Sequence, residues 1–400
     1  MNFHNHHILG FLAIALVARR EFFIRQRSFV EYSSIDLHAM IEIGIVGATF
    51  LFILVRSELL QTSTKLMKTS MLPLACYFIF AVAFSPLSQN SAYSIFFAGE
   101  YFSQVLLIFC IIASSPTHES AVKRLITLSL IATYLTIGFS LSRLGISGQL
   151  FDYKHNVGGA CGAMLGVYCL VYFISEKYSA NLKRTIWFGM VGGLGAVVLT
   201  TSAASIISTM FGVAIASLVA GKGKAPLFIL IAVLTVGAFI YPDKAFEIVF
   251  PGKDLAQVES LHGRTHFWDD AMLLLTEKPF VGYGYAMAAK VGNLQSTNLH
   301  NSMLSLIIGT GIVGSFIFLI GLGQCLRENF TLVSKKIPGG VSLLAALATG
   351  LLNSNTLSFF GEDWRSASFV FIAIWSIIAF SVYQATYGNQ VASQIGSNQL

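Results

Sequence analysis

Long apolar runs separated by short polar intervals dominate this chain of 400 residues. A run of about 18 or more apolar residues is typical of a helix that crosses a bilayer. The pattern therefore predicts an all-α polytopic membrane protein of about twelve transmembrane helices, counting residues 3–18 if they also cross. The other predicted spans are 37–55, 70–84, 91–113, 125–146, 157–174, 185–201, 203–220, 225–241, 299–322, 340–357 and 365–386.

One polar interval, residues 242–298, is much longer than the others and is predicted to form a large periplasmic loop. It separates an N-terminal transmembrane bundle (1–241) from C-terminal transmembrane helices with a short cytoplasmic tail (299–400), all within a single integral membrane domain. Helical spacing inside the loop predicts a short surface helix that ends before Pro279. Its candidate N-cap is Ser260, and its apolar face, expected to lie on the membrane, comprises Leu261, Trp268, Met272 and Leu275.

Composition supports the membrane class. The chain is 55% hydrophobic and only 11% charged, whereas a soluble domain carries about 25% charged residues. These values exclude a soluble enzyme, a nucleic-acid-binding domain and a disordered chain. The formal charge of +6 therefore indicates no nucleic-acid partner, and what matters is the side of the membrane on which each cation lies.

The placement of the cations predicts the orientation. With 242–298 outside, the outer loops 85–90 and 200–203 carry no Lys or Arg, as the positive-inside rule requires. The four arginines of 19–27 fall outside, so either residues 3–18 do not span or, as we favour, this cluster holds an anionic lipid headgroup. The inner loops hold 13 of the 25 cations: Arg56, Lys65, Lys68, Lys123, Arg124, Lys177, Lys183, Arg184, Lys222, Lys224, Arg327, Lys335 and Lys336.

Small residues and cysteines are interpreted as packing. The five cysteines lie in apolar runs without metal-ligand spacing, so we expect buried thiols and no disulfides. The stretch Ile8–Ala18 has no small-residue cleavage site and is not expected to be a signal peptide. Glycines four residues apart predict close helix contacts at Gly158, Gly162 and Gly166 and at Gly189 and Gly193.

Two residues of the long loop are the main candidates for chemistry. Arg264 falls in the first turn of the predicted surface helix, where a guanidinium beside free backbone N–H groups can hold a phosphate. It could instead pair with Asp269 or Asp270, or be solvated. His300 precedes the next apolar span, and imidazole is a natural general base near neutral pH. It could also be an interfacial histidine that only forms hydrogen bonds.

Other polar residues are predicted on the same side. Glu362, Asp363 and Arg365 cluster in the last outer loop, where each is a solvated charge unless it joins a common pocket. Glu100 is predicted in mid-span, either functional or paired with a neighbouring hydroxyl. A cationic pocket that also contains histidine would suit a lipid-linked diphosphate. Its candidate members are Arg264, His300, Lys154, His155, Glu362 and Arg365, with Asn301 beside His300 and Asn156 beside His155.

These residues stand in a block that resembles the conserved block of the O-antigen ligase/Wzy polymerase superfamily. Lys154, His155 and Asn156 also resemble, in transposed order, the His-Lys-Asn element of exopolysaccharide polymerases. One departure is segment 200–205, which lacks an arginine that the family often has; Arg143 or the 19–27 cluster are possible replacements. The block comprises Gly263, Arg264, Trp268, Pro279, Gly282, Tyr283, Gly284, His300, Asn301 and residues 309–314.

The resemblance implies an inverting glycosyltransferase of the bacterial inner membrane with its active site facing the periplasm. The donor would be an undecaprenyl-diphosphate-linked glycan, and the acceptor a sugar or the lipid A-core. Neither a metal nor another cofactor is implied. His300 would be the catalytic base and Arg264 a diphosphate ligand, with membrane lipids and polysaccharide-assembly proteins as further partners.

Within this family the sequence leaves polymerase and ligase open, with Lys154, His155 and Asn156 favouring polymerase slightly. A protein-glycosylating member is a further option. From other classes, a transporter or flippase of lipid-linked glycans would need ionisable groups along a central path, where only Glu100 qualifies. A non-catalytic assembly partner is the remaining alternative.

Overall fold

The computed structural model describes residues 3–22, 37–56, 64, 67–144, 156–176, 179–200, 202–220, 264–292, 294, 299–362 and 365–397. Every regular element within these ranges is helical, which confirms the all-α class. A short 3-10 helix, Ser85–Leu87, follows the third α-helix. The α-helices are α1 (Phe3–Phe22), α2 (Leu37–Val55), α3 (Met71–Phe84), α4 (Ser91–Ala113), α5 (His118–Leu144), α6 (Asn156–Ser175), α7 (Ala180–Thr200), α8 (Ala203–Ala220), α9 (Arg264–Glu277), α10 (Ser302–Ser334), α11 (Gly340–Asn353) and α12 (Ser366–Ser397).

Seven of the described helices, namely α4, α5, α6, α7, α8, α10 and α12, are long and apolar enough to cross a membrane. Shorter apolar helices accompany them at Ile8–Ala18, Met40–Val55, Met71–Leu87 and Gly340–Asn353. The chain is therefore a polytopic membrane protein. The count of about twelve spans stays a prediction, because the expected span 225–241 and part of the 242–298 loop lie outside the described residues.

Helices α4 and α8 begin and end at the predicted residues, because polar residues flank each of these apolar runs on both sides. The boundaries differ for α10, whose 33 residues run to Ser334 and contain one non-helical residue, Gly311. The helix continues past the predicted end at 322 because polar residues end a hydrophobic run without ending helical backbone hydrogen bonding.

Helices α6 and α7 pack through their glycines, as predicted. A Cβ on Gly162 would lie 2.6 Å from the Gly193 carbonyl oxygen, and one on Gly166 would lie 2.9 Å from the Leu194 nitrogen. Real side chains do not tolerate such distances, so these backbones touch only because the side chains are absent. The five cysteines are free thiols and four are buried, but Cys76 is exposed, so the expectation of burial is wrong there.

Contacts between connecting segments divide the bundle into two ends. At the first end, the predicted inner segments meet. The Ser70 N–H donates to Glu328 Oε1 at 2.7 Å, and the Gly339 N–H donates to Glu176 Oε1 at 2.9 Å. This grouping agrees with the predicted alternation of loops.

The second end, which we call the site end, joins the predicted outer segments. The Ala286 N–H donates to the Gly361 carbonyl at 3.2 Å, and the Ser302 N–H donates to the Ser354 carbonyl at 2.8 Å. Asn353, next to Ser354, donates from Nδ2 to Ser208 Oγ at 2.5 Å. The described parts of the loops before α10 and α12 thus lie at one end, together with the start of α8. That this end faces the periplasm stays a prediction.

Candidate functional site

Helix α10 is broken at Gly311, and a segment of the long loop fills the break. Gly311 has φ 65° and ψ −173°, which no helical residue adopts. The carbonyls of the turn before it accept from the loop instead: Tyr283 N–H donates to Ile308 O at 2.9 Å, and Gly284 N–H donates to Gly309 O at 2.8 Å. The last carbonyl groups of a helix lack partners within the helix, and here the loop N–H groups of Tyr283 and Gly284 bind two of them.

The N–H groups beyond the break are satisfied in the same way. Ile312 N–H donates to Pro279 O at 2.8 Å, and Val313 N–H donates to Phe280 O at 3.2 Å. A Cβ on Gly311 would lie 2.3 Å from the Phe280 carbonyl carbon. The two glycine-containing motifs of the sequence, 279–284 and 309–314, therefore bind each other through their backbones. We call this contact the loop joint.

His300 lies at the site end, directly before α10, and its backbone has φ 54°. Non-glycine residues rarely adopt this left-handed conformation, so the residues around it must hold it. Asn301 is the N-cap of α10, and its Oδ1 accepts from the N–H groups of Met303 and Leu304 at 3.0 and 3.1 Å. The C-terminal neighbour of His300 is thus fixed to the helix.

The N-terminal neighbour, Leu299, is held on both sides of its backbone. Its N–H donates to Glu362 Oε1 at 3.1 Å, and its carbonyl accepts from Trp268 Nε1 at 3.1 Å. Glu362 Oε1 also accepts from Ser305 Oγ at 2.8 Å. His300 is therefore placed by groups from three separate segments: α9, the first turns of α10 and the 354–362 loop.

Glu362 corrects the expectation of a solvated loop charge. Its side chain is 3% exposed, because the 354–362 loop folds over the start of α10 and buries it against Leu299 and Ser305. The sequence marked Glu362 only as one of three charges in a short loop. A buried acceptor for backbone N–H groups has no distinctive spacing.

Helix α9 ends at Glu277, as predicted, and begins at Arg264 within the described residues. The predicted apolar face divides: Trp268 is partly buried and contacts Leu299, whereas Met272 is 51% exposed. Ser260 lies outside the described residues, as does the side chain of Arg264. The backbone places Arg264 one turn before Trp268, on the helix that holds Leu299.

The end of α9 is tied to the loop by Tyr283. Its hydroxyl donates to Glu277 Oε2 at 2.6 Å, and Lys278 Nζ lies 4.9 Å from the ring centroid. Burial, followed by the neighbouring Glu277 carboxylate, raises the pKa of Tyr283 to about 12. The phenol therefore stays protonated at neutral pH and can keep donating this hydrogen bond.

Asn156 begins α6 at the same end of the bundle. Its Oδ1 accepts from Ser202 Oγ at 3.1 Å, and Ser205 Oγ donates to Ser202 Oγ at 3.1 Å. The segment without the family's arginine thus carries a chain of hydroxyls that ends on Asn156.

The remaining predicted site residues are placed only in part. Arg365 lies half-buried at the site end, where its N–H is 3.4 Å from Ser368 Oγ. Lys154, His155 and the side chain of Arg143 lie outside the described residues, so their expected roles stay predictions. Within the described ranges no three His, Cys, Asp or Glu side chains group as a metal ion would require.

Lys290 was not singled out by the sequence. Its side chain is only 8% exposed, and its Nζ lies 5.6 Å from the Tyr93 ring centroid. Its apolar flanks, Ala289 and Val291, belong to the small core beneath the loop. No spacing rule could distinguish it from the other lysines.

Comparison with known proteins supports the resemblance. A family model described as O-antigen ligase matches residues 188–319, about one third of the chain. This range contains Arg264, Trp268, the joint of 279–284 with 309–314, and His300. It confirms the resemblance to the O-antigen ligase/Wzy polymerase superfamily. No curated protein gives a significant match.

Proposed function

We propose that this membrane protein transfers a glycan from undecaprenyl diphosphate to a sugar hydroxyl at the periplasmic face of a bacterial inner membrane. The observation that carries the proposal is the placement of His300. It is held in a rare conformation between two fixed neighbours, inside the segment that matches the O-antigen ligase family. Strained residues held by several independent contacts are typical of functional sites.

The chemistry follows from the groups that the site would bring together. The imidazole of His300 takes the proton of the acceptor hydroxyl as its oxygen forms a bond to the anomeric carbon. The bond from that carbon to the diphosphate oxygen breaks on the opposite face, so the configuration inverts. Arg264 neutralises the departing undecaprenyl diphosphate.

Polymerisation of repeat units is slightly favoured over ligation to lipid A-core, because Lys154, His155 and Asn156 resemble the polymerase element. The two activities leave different products in a deletion strain. Loss of a polymerase leaves single repeat units, whereas loss of a ligase leaves long polymer on undecaprenyl diphosphate. A gel of surface and lipid-linked glycans distinguishes them.

The test of the proposal compares three variants in the deletion strain. His300→Ala and Arg264→Ala are expected to abolish glycan transfer while inserting into the membrane at the wild-type level. His118→Ala is the matched control, since His118 bonds to Ser381 on a helix end that is predicted to lie inside. Wild-type polysaccharide in both site variants would overturn the proposal.

A further inference from the structure

An apolar groove lies between α2, α3 and α4, apart from the His300 region. Its volume is about 530 Å³, within the range of about 300–1,000 Å³ that is typical of ligand pockets. Of the residues that line it, Glu100 alone is ionisable, and this residue is fully buried. The residues that line the groove are therefore suited to binding a hydrocarbon chain.

The groove opens towards the bilayer. Its rim carries Ile43, Ile79 and Ile95, which are 45%, 55% and 41% exposed. Large apolar side chains that remain exposed on apolar helices of a membrane protein face lipid. A molecule can thus enter this groove sideways from the membrane without passing through water.

Two glycines keep the groove open. A Cβ on Gly47 or on Gly99 would meet no atom of the described residues within 4 Å, and both glycines line the groove. Glycine destabilises the interior of a helix relative to alanine. At Gly162 close helix contact offsets this cost, but at Gly47 and Gly99 no contact does. The glycines at these two positions therefore leave the groove unfilled instead of allowing two helices to approach closely.

The groove leads towards the site end along α4. Ile95 lies about half a turn beyond Tyr93, whose ring carries the buried cation Lys290. The first turn of α4 also touches the loop joint, since a Cβ on Gly284 would lie 2.8 Å from Ser94 Oγ. The buried cation Lys290 and the apolar groove thus both adjoin the first turns of α4, on different faces of that helix.

We propose that this groove binds the first part of the isoprenoid tail of the lipid-linked donor, with the phosphate end lying towards Lys290. A polyprenyl phosphate has this same order of features: an anionic head followed by a long, methyl-branched hydrocarbon. The groove provides dispersion contacts along the tail and keeps the diphosphate at the site end. This assignment rests on the function proposed above and adds the place where the lipid is held.

The test is photolabelling of the purified full chain in lipid nanodiscs. The probe is a polyprenyl phosphate with a diazirine in its first isoprene units, and a phosphatidylglycerol with a diazirine in its acyl chain is labelled in parallel. We expect the polyprenyl probe to mark peptides of α2 and α4. Gly99→Leu and Gly47→Leu place a side chain in the groove from positions where an added Cβ meets no described atom within 4 Å, and should each reduce this labelling about tenfold.

Gly44→Leu is the matched control. Gly44 also lies on α2 with no atom within 4 Å of an added Cβ, but it does not line the groove, so its labelling should equal wild type. Equal marking of α2 and α4 by both probes would mean a general lipid groove and would overturn the assignment. Wild-type labelling of Gly99→Leu would do the same. Labelling needs no turnover, so this result is separate from glycan transfer in His300→Ala.

Discussion

The carboxylate of Glu362 accepts the backbone N–H of Leu299, the residue directly before His300, at 3.1 Å. The two residues lie on separate loops, and both are almost fully buried, at 3% and 1% exposure. Since His300 has a positive φ, the conformation on which the proposed base depends is maintained by its neighbours rather than by its own preference. Glu362 therefore acts on His300 through the backbone of Leu299.

Glu362→Ala is expected to lower the rate of glycan transfer by about 10- to 100-fold, because a buried N–H loses a charged acceptor worth about 1.5–3 kcal/mol. Glu362→Gln keeps an oxygen that can accept from Leu299 and Ser305, so it should retain most of the rate. The measurement is the initial rate of transfer in membranes with matched protein levels. Equal losses in the two variants would show that the charge itself, and not the position of Leu299, is what matters.

Gly311→Ala is expected to destabilise the protein severely. The new Cβ would lie 2.3 Å from the Phe280 carbonyl carbon, and a non-glycine residue at this φ adds strain of about 1–3 kcal/mol. Thermal unfolding in detergent should show a clear fall in the unfolding midpoint. In limited proteolysis, the contact between residues 279–284 and 309–314 should no longer protect the loop from cleavage. Gly323→Ala is the control on the same helix.

In that control an added Cβ meets no atom within 4 Å. It should be neutral or stabilise α10 by up to about 1 kcal/mol, since alanine is the better helix former. Should Gly311→Ala unfold at the same temperature as Gly323→Ala, the loop does not bind the break as described.

Trp268→Phe removes the Nε1 donor to the Leu299 carbonyl while keeping an aromatic ring. We expect about a fivefold to tenfold lower transfer rate, equivalent to about 1 kcal/mol for one lost hydrogen bond. The protein should unfold within a few degrees of wild type. Met272→Ala, an exposed position on the same helix, should leave the rate unchanged; a similar loss there would instead point to the surface of α9.

The raised pKa of Tyr283 leads us to expect that wild type and Tyr283→Phe differ in how their stability changes at alkaline pH. Its folded pKa is raised to about 12 from an ordinary value of 10.0, so the stability that it contributes is complete below pH 10. That contribution is lost as the pH rises through this interval, because the exposed phenol of the unfolded chain ionises while the folded phenol is still protonated. The measurement is the unfolding midpoint of wild type and Tyr283→Phe from pH 8 to 11.5.

The midpoint of wild type should fall more steeply than that of Tyr283→Phe above pH 10. Other tyrosines and lysines also titrate there, and subtracting the variant's curve removes their contribution. Parallel curves across the whole range would show that the Tyr283 hydroxyl is not buried against Glu277.

The sequence by itself determined the membrane class, most helix positions and the block around Arg264 and His300. It could do so because these depend on local properties: hydrophobic runs, prolines, glycine spacing and the order of residue types along the chain. The packing of Gly162 against Gly193 was likewise readable, since the four-residue repeat places small residues on one helix face.

The tertiary structure alone decided how the block is built. The break at Gly311 was hidden within a continuous apolar run, because its compensation comes from the backbone of 279–284, and backbone hydrogen bonds leave no signature in residue type. Glu362 looked like a solvated charge for the same reason: its burial depends on a loop folding back over α10. The sequence named the residues of the block, but only folding showed which of them hold His300, because contacts between distant segments depend on how the helices pack.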